Sequence, residues 1–234
     1  MKYIELQEAF ELELGVLDDN LNKPSTSDIE YWLMAGLDKF IKTRYSGLNI
    51  KRTGFEQDQK RIDDLRTLIV ERSYQFTIYP EEYTIELPSD YMITLGETAS
   101  IFSSTDPCWP KASNGQPRTK RTDVLEATIE NIDRQRQNSL SEHRLHANTA
   151  RPLRLYRGNN IYLYTDGNYS IKTYSLTYLR IPKRISLTAA PFDEYADMPV
   201  STHQEIVKLA AELYLENEAN PRYQTYLNEV NTME

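Results

Sequence analysis

The stretch LRLYRGNNIYLYTDGNYSIKTYSLTYLRIPKRI, residues 153–185, does most to limit what this chain can fold into. Two turn signals divide it. Gly158-Asn159-Asn160 and Asp166-Gly167 hold residues that tolerate positive φ, so the runs on either side read as hairpin partners. The expected strands are 153–156, 161–164 and 171–181, a three-stranded antiparallel sheet closed by Pro182, which cannot donate to a ladder. Side chains alternate along a strand, which puts Tyr174, Leu176 and Tyr178 on one face of the third and Ile171, Leu179 and Ile181 on the other. Bulk on both faces implies a sheet sandwiched within its own domain or covered on one side by a neighbouring chain.

The two ends of the chain carry the helical period instead. Leu6, Phe10 and Leu14 place an amphipathic helix over 3–14, ending near Gly15. After a polar loop through Pro24, Ser27 and Glu30 form a capping box, and Ile29, Trp32, Leu33, Gly36, Leu37, Phe40 and Ile41 recur at steps of three and four up to Gly47. Such a helix of about 19 residues spans about 28 Å. Gly36 is a poor helix former on the apolar stripe, which implies close approach of another backbone. Thr53 and Glu56 cap a third helix carrying Ile62, Leu65, Leu68 and Ile69. Far along the chain, Ser201 with Gln204 opens a helix striped by Ile206, Leu209, Ala210, Leu213 and Tyr214. Asn220-Pro221 breaks it, and Tyr223, Tyr226, Leu227 and Val230 make a last short helix.

Between these ends, 74–78 and 83–87 alternate like strands, Pro88-Ser89-Asp90 turns, and 91–102 is apolar without a clear period. Residues 103–122 read as a long loop bearing Lys111, Arg118, Lys120 and Arg121, and 124–140 as a helix by propensity with only weak amphipathicity. The expected class is α+β: a helical bundle from 1–72 and 200–234, with a mostly β insertion over 73–199 whose basic loop and helix occupy 103–150.

Charge adds a second constraint. The net charge of -8 argues against a general nucleic-acid binder, because counterion release needs clustered cations. Yet residues 111–157 hold 10 Lys and Arg against 5 Asp and Glu, leaving 17 against 30 elsewhere. A basic segment therefore sits in an acidic body, either as a solvated face or as a docking surface for an acidic partner. The 17 Tyr against 6 Phe favour partly wet interfaces over dry cores. Cys108 is the single cysteine, so no internal disulfide is expected and a reducing compartment is the simpler assumption. No run has the ~18 apolar residues of a membrane span, and no signal pattern opens the chain, so a soluble, unprocessed protein is expected.

Candidate chemistry is sparse. His143 and His146 would lie one turn apart on a helix, but further metal ligands are missing, and Cys108 and His203 fall in unrelated segments. Cys108 has no local base to activate it as a nucleophile. The acidic pairs Asp18-Asp19, Asp63-Asp64 and Glu81-Glu82 read as solvated charges, since a two-metal nuclease would need carboxylates converging from strands. No phosphate-binding glycine loop is present. No catalytic residues, metal or cofactor are expected, and the chain reads as a non-enzyme.

Four segments together resemble a known family. DIEYWLMAGLDKFIKTRYSGLN with KRTGFEQDQKRIDDLRTLI, then ELPSDYM, then RPLRLYRGNNIYLYTDGNYSIKTYSLTYLRIPKRI, and finally DMPVSTHQEIVKLAAELYLENEANPRYQTYLNEV, are similar in order to the head-to-tail connectors of short-tailed phages. The likeness is greatest to the neck ring proteins of crAss-like phages, related in plan to the tail-adaptor, tail tubular protein A-like, family; it covers most of the chain and is weakest over 103–150. The resemblance implies a virion structural protein assembled in the host cytoplasm: a ring of about twelve copies docked under the portal, touching adjacent neck or tail rings and lining the channel for DNA ejection. An acidic ring would repel passing genomic DNA instead of gripping it, and no membrane is involved. On that reading Arg151, Arg154, Arg157, Tyr162, Tyr164, Tyr174 and Tyr178, with Lys111, Arg118, Lys120 and Arg121, are interface members. Two other classes compete: a nucleic-acid-binding accessory protein using Lys111, Arg118, Lys120, Arg121, Arg134 and Arg136, and a carboxylate-based hydrolase.

Overall fold

The computed structural model describes residues 1–17, 24–46, 58–188, 191–218 and 227. In chain order its elements are α1 (Tyr3–Leu17), α2 (Thr26–Tyr45), α3 (Gln59–Leu65), β1 (Ile69–Gln75), β2 (Glu82–Glu86), β3 (Tyr91–Phe102), β4 (Lys120–Asp123) and β5 (Leu125–Glu126). Then come α4 (Ile132–Gln137), β6 (Leu153–Arg157), β7 (Asn160–Tyr164), β8 (Ser170–Arg180) and α5 (His203–Asn217). The class is α+β. Two units divide the chain: Met1–Leu68 with Pro182–Glu234, and Ile69–Ile181. The expected insertion of 73–199 was therefore drawn too far toward the C-terminal end. Ile185, Leu187, Tyr195 and Met198 are buried in the helical unit, and Thr67 Oγ1 donates to the Asp197 carbonyl at 2.6 Å within it.

In the helical unit α5 packs against both α1 and α2. The apolar stripes are largely those the spacing predicts: Leu6, Phe10 and Leu14 on α1, Ile29, Leu33, Leu37, Phe40 and Ile41 on α2, and Ile206, Ala210 and Tyr214 on α5 are buried, whereas Trp32, Leu209 and Leu213 are half-buried and α5 turns Val207, Ala211 and Leu215 inward as well. The crossing of α2 and α5 is tight. A Cβ on Gly36 would stand 2.7 Å from the Ala210 backbone nitrogen, so only glycine lets the two backbones meet there.

Helix ends differ from expectation in several places. The capping box of α2 uses Ser25 and Asp28, not Ser27 and Glu30: Asp28 N donates to Ser25 Oγ while Ser25 N donates to Asp28 Oδ2. Glu30 is thereby released to accept from Leu187 N at 2.7 Å. Gly15 does not stop α1, which runs on to Leu17. The third helix is short and capped by Asp58, whose side chain accepts from Lys60 N; a 3-10 turn over Arg66–Leu68 ends it, and Ile69 already belongs to β1. Thr53 and Glu56 lie outside the described residues, as does the last short helix apart from Leu227. Ser201 does not cap α5, which follows a 3-10 turn over Val200–Thr202.

The second unit is a two-sheet β structure, not a three-stranded sheet. One sheet has the order β1-β8-β3-β4 and the other β2-β7-β6-β5. Tyr83, Ile85, Ile161 and Leu163 from the latter share one core with Ala99, Ile101, Ile171, Tyr174, Leu176 and Tyr178 from the former. The Gly158-Asn159 turn is the expected hairpin: Arg157 pairs with Asn160, and Gly158 has φ of 61°. Asp166-Gly167 is no hairpin, because β7 pairs with β2 and β6 while β8 pairs with β1 and β3, so the chain changes sheets there.

β8 also breaks the simple alternation. Ser100 pairs with Thr173 but Ile101 pairs with Ile171, which leaves Lys172 as an extra residue. This bulge turns Ile171 onto the same core as Tyr174 instead of the opposite face. The outer face carries Thr173, Ser175 and Thr177, and Ile181 is exposed beyond the strand. Strands β1 and β8 place Ile69 opposite Leu179, so this unit begins and ends side by side. The expected helix over 124–140 shrinks to the six residues of α4, whose Ile132 packs with Leu153, Leu155 and Tyr164 on the second face of its sheet.

Candidate functional site

The expected long loop after β3 is an ordered arm. Ser103 Oγ donates to the Asn168 carbonyl at 2.6 Å, and the indole of Trp109, 3% exposed, donates to the Arg118 carbonyl at 2.7 Å. Beyond that anchor Lys111 bridges Pro117, and Gly115 N donates to the Ala112 carbonyl with φ of 78° at Gly115. The arm returns as β4, the edge strand in which Lys120 pairs with Ile101 and Arg121 with Ser100. Lys120 Nζ donates to the Asn148 carbonyl at 3.2 Å. Lys111, Arg118 and Arg121 are exposed, and among the described residues none has a carboxylate partner.

The rest of the basic segment is mostly engaged. Arg136 lies 4.8 Å over the Tyr164 ring, Arg144 donates to the Asn138 and Arg136 carbonyls, and Arg151 pairs with Glu142 at 2.8 Å. Arg134 is exposed. His143 and His146 sit in the turns after α4, not on a helix. His143 is buried, and that burial, followed by the charge of Arg144, lowers its pKa below the usual imidazole range. His146 is exposed. Among the described residues no group of three or more His, Cys, Asp or Glu could hold a metal ion.

Four expected interface members are instead internal to the β unit, which corrects that assignment. Tyr174 and Tyr178 are fully buried in the core shared by the sheets, and Tyr164 and Arg154 are 8% and 9% exposed. Their placement follows from register: Arg154 and Tyr156 on β6 lie opposite Leu163 and Ile161, so both face the other sheet. There Arg154 Nε meets Glu97 Oε2 of β3 at 2.9 Å, its guanidinium stacks 4.1 Å over the Tyr156 ring, and Tyr156 OH donates to Glu97 Oε1 at 2.6 Å. Thr94 and Tyr91 extend this chain of hydroxyls, and Tyr178 OH donates to Asp90 at 2.9 Å. Burial, then the Glu97 carboxylate, pushes the Tyr156 hydroxyl well above its usual range. This network clamps the two sheets together and is structural. Arg157 remains exposed, and Arg151 and Tyr162 are half-buried.

The helical unit carries a second polar cluster and a cleft. Arg44, nearly buried, contacts Asp64 at 3.0 Å and also Glu205, which Lys60 approaches at 3.4 Å. Asp64 is therefore not the solvated charge its sequence pairing implied; burial raises its pKa against the opposing pull of Arg44. Asp18-Asp19 lies outside the described residues, and Glu81-Glu82 is exposed. The cleft, of about 540 Å³, is lined by Pro24, Asp28, Tyr31, Trp32, Tyr214, Asn217 and Glu218. Its rings pack edge to face, Tyr31 against Trp32 at 5.0 Å and Trp32 against Tyr214 at 6.0 Å, while Tyr31 stays 64% exposed. The side chain and backbone of Ser25 hold the Asp28 carboxyl below the usual carboxylate range. Burial, then the charges of Glu218 and Asp28, raises the Tyr214 hydroxyl.

The spacing that places Trp32 and Tyr214 on helix stripes does not by itself reveal the cleft between them. The legible signal was a carboxylate within one turn of each aromatic, Asp28 before Tyr31 and Trp32, and Glu218 after Tyr214. Charge follows the same division. The helical unit holds 14 Lys and Arg against 22 Asp and Glu, and the β unit 13 against 13. No family model matches the sequence, and no curated protein matches it.

Proposed function

We propose that the chain is a structural subunit that acts by assembling with copies of itself, as a head-to-tail connector ring in the neck of a short-tailed phage, docked under the portal and joining capsid to tail. The observation that carries this reading is the pairing of unlike surfaces. One unit concentrates the net negative charge, and the other presents Lys111, Arg118 and Arg121 without carboxylate partners among the described residues. A ring closed by head-to-tail contacts needs two different complementary patches per subunit, and this division supplies them. The ordered likeness of the four sequence segments gives the phage setting. The test is mass photometry and sedimentation of purified chain, alone and with portal-bearing particles that lack a neck. Ring-sized assemblies or particle-bound stoichiometry of about twelve support the proposal, and a chain that stays monomeric and unbound in both overturns it.

The exposure of Lys111, Arg118, Lys120, Arg121, Arg134 and Arg136 favours one second reading, a nucleic-acid-binding accessory role. Titration of a DNA duplex at two salt concentrations separates the two. Tight binding that weakens steeply with salt supports the second reading, and negligible binding supports the ring.

A further inference from the structure

We propose that the aromatic cleft where α2 meets α5 receives the basic arm, residues 110–121, of a second copy of this chain; the proposal rests on the assembling-subunit reading above. The cleft is built for a cation. Tyr31, Trp32 and Tyr214 offer ring surface, the acidic side chains of Asp28 and Glu218 stand at its margin, and the Asn217 amide adds an acceptor. A guanidinium fits this set best, because it stacks on a ring with its plane while its edge donates to a carboxylate.

The arm supplies the matching chemistry. Lys111, Arg118 and Arg121 project from a segment fixed by the Trp109 indole and the Gly115 turn, so little freedom is lost when it docks. Arg44, Arg72, Arg151 and Arg154 have carboxylate partners, and although Arg134 and Arg157 are also exposed, only the arm gathers Lys111, Arg118 and Arg121 into one short segment among the described residues. The arm belongs to the charge-neutral unit and the cleft to the acidic one, so the contact joins different patches on successive copies, as a head-to-tail ring requires.

The experiment uses the full chain in equal mixture with an isotope-labelled copy, with p-benzoylphenylalanine in place of Tyr31 in the unlabelled copy. Self-association of the unsubstituted chain and of Glu218→Arg, Arg118→Glu and the double variant is followed in parallel by sedimentation, up to millimolar concentration. Both substituted positions are exposed, and circular dichroism checks that each variant keeps its fold. The expected results are cross-links from position 31 to residues 110–121 of the labelled copy, association about tenfold weaker in each single variant, and recovery in the double variant. Association unchanged by Glu218→Arg overturns this contact and leaves the ring reading standing. Cross-links confined to 219–234 of the same copy assign the cleft to the chain's own tail and overturn it as well. A chain that is monomeric throughout, with and without neckless particles, overturns both the contact and the ring.

Discussion

At the scale of single residues, the most consequential pair is Arg154 with Glu97. Their side chains are 10% and 6% exposed, and each satisfies a charge that water cannot reach. Removing Glu97 leaves the buried Arg154 only the exposed Glu126, at 3.2 Å, so Glu97→Ala should lower unfolding stability by about 2 kcal/mol in urea titrations, with partial recovery in Glu97→Ala/Arg154→Met. The buried tyrosines separate by their hydroxyls. Tyr83 OH accepts from Ile171 N at 3.0 Å, whereas the Tyr169 hydroxyl is buried with no hydrogen-bond partner among the described residues. Tyr169→Phe should therefore be neutral or stabilising by up to about 1 kcal/mol, and Tyr83→Phe destabilising by a similar amount, both read by thermal melts. His203 sets a pH dependence. Burial, then the amino-terminal charge of Met1, lowers its pKa below 6.5, while its Nε2 hydrogen-bonds the Met198 carbonyl. The unfolded chain takes up this proton near its ordinary pKa and the native chain resists it, so the contribution is full above that value and is lost as pH falls below it. Urea midpoints should drop between about pH 7 and about pH 5, and His203→Gln should flatten that slope; His143, shifted the same way, supplies part of what remains.

At the scale of elements, the tightest constraint is where α2 crosses α5. Gly36→Ala would gain about 1 kcal/mol of helix propensity but drive a methyl into the Ala210 backbone, which cannot swing aside as a side chain could. A net loss of about 2 kcal/mol is expected in denaturant titrations, recovered by no substitution at Ala210 because the clash is with main chain. This approach was legible in the sequence, since a glycine on an apolar stripe has few other reasons to be there. The apolar stripes of α1, α2 and α5 were legible for the same reason: spacing of three and four names both the element and its buried face. Strand pairing was not. A period of two says which residues share a face but not which strand lies alongside, so β6, β7 and β8 looked like one sheet although the chain crosses to another at Gly167. The Lys172 bulge was equally hidden, because it is defined by the partner strand. The Ser25/Asp28 box was overlooked because Ser27 and Glu30 offered the same spacing two residues later. Arg, Gln and Glu propensity alone favours a helix over 124–140, but with Ile132 its only buried side chain, α4 has too little apolar contact to extend further.

At the scale of the whole molecule, the candidate surfaces were half legible. The basic run of 111–157 was visible by counting, but the structure divides it into an arm exposing Lys111, Arg118 and Arg121, a mostly engaged remainder from which Arg134 and Arg157 still stand exposed, and Arg154 withdrawn into the interior. Tyrosine abundance misled, because Tyr174 and Tyr178 serve a core. If assembly depends on charge matching, association of the full chain should weaken as salt rises from about 50 mM to about 500 mM, a dependence that sedimentation can follow. The adjacency of Ile69 and Leu179 on neighbouring strands has an evolutionary corollary. A module whose entrance and exit lie next to each other can be lengthened, trimmed or exchanged like a cassette without stretching the scaffold that carries it. Sequence change between relatives is then expected to collect inside 69–181, while the helices that flank it drift slowly.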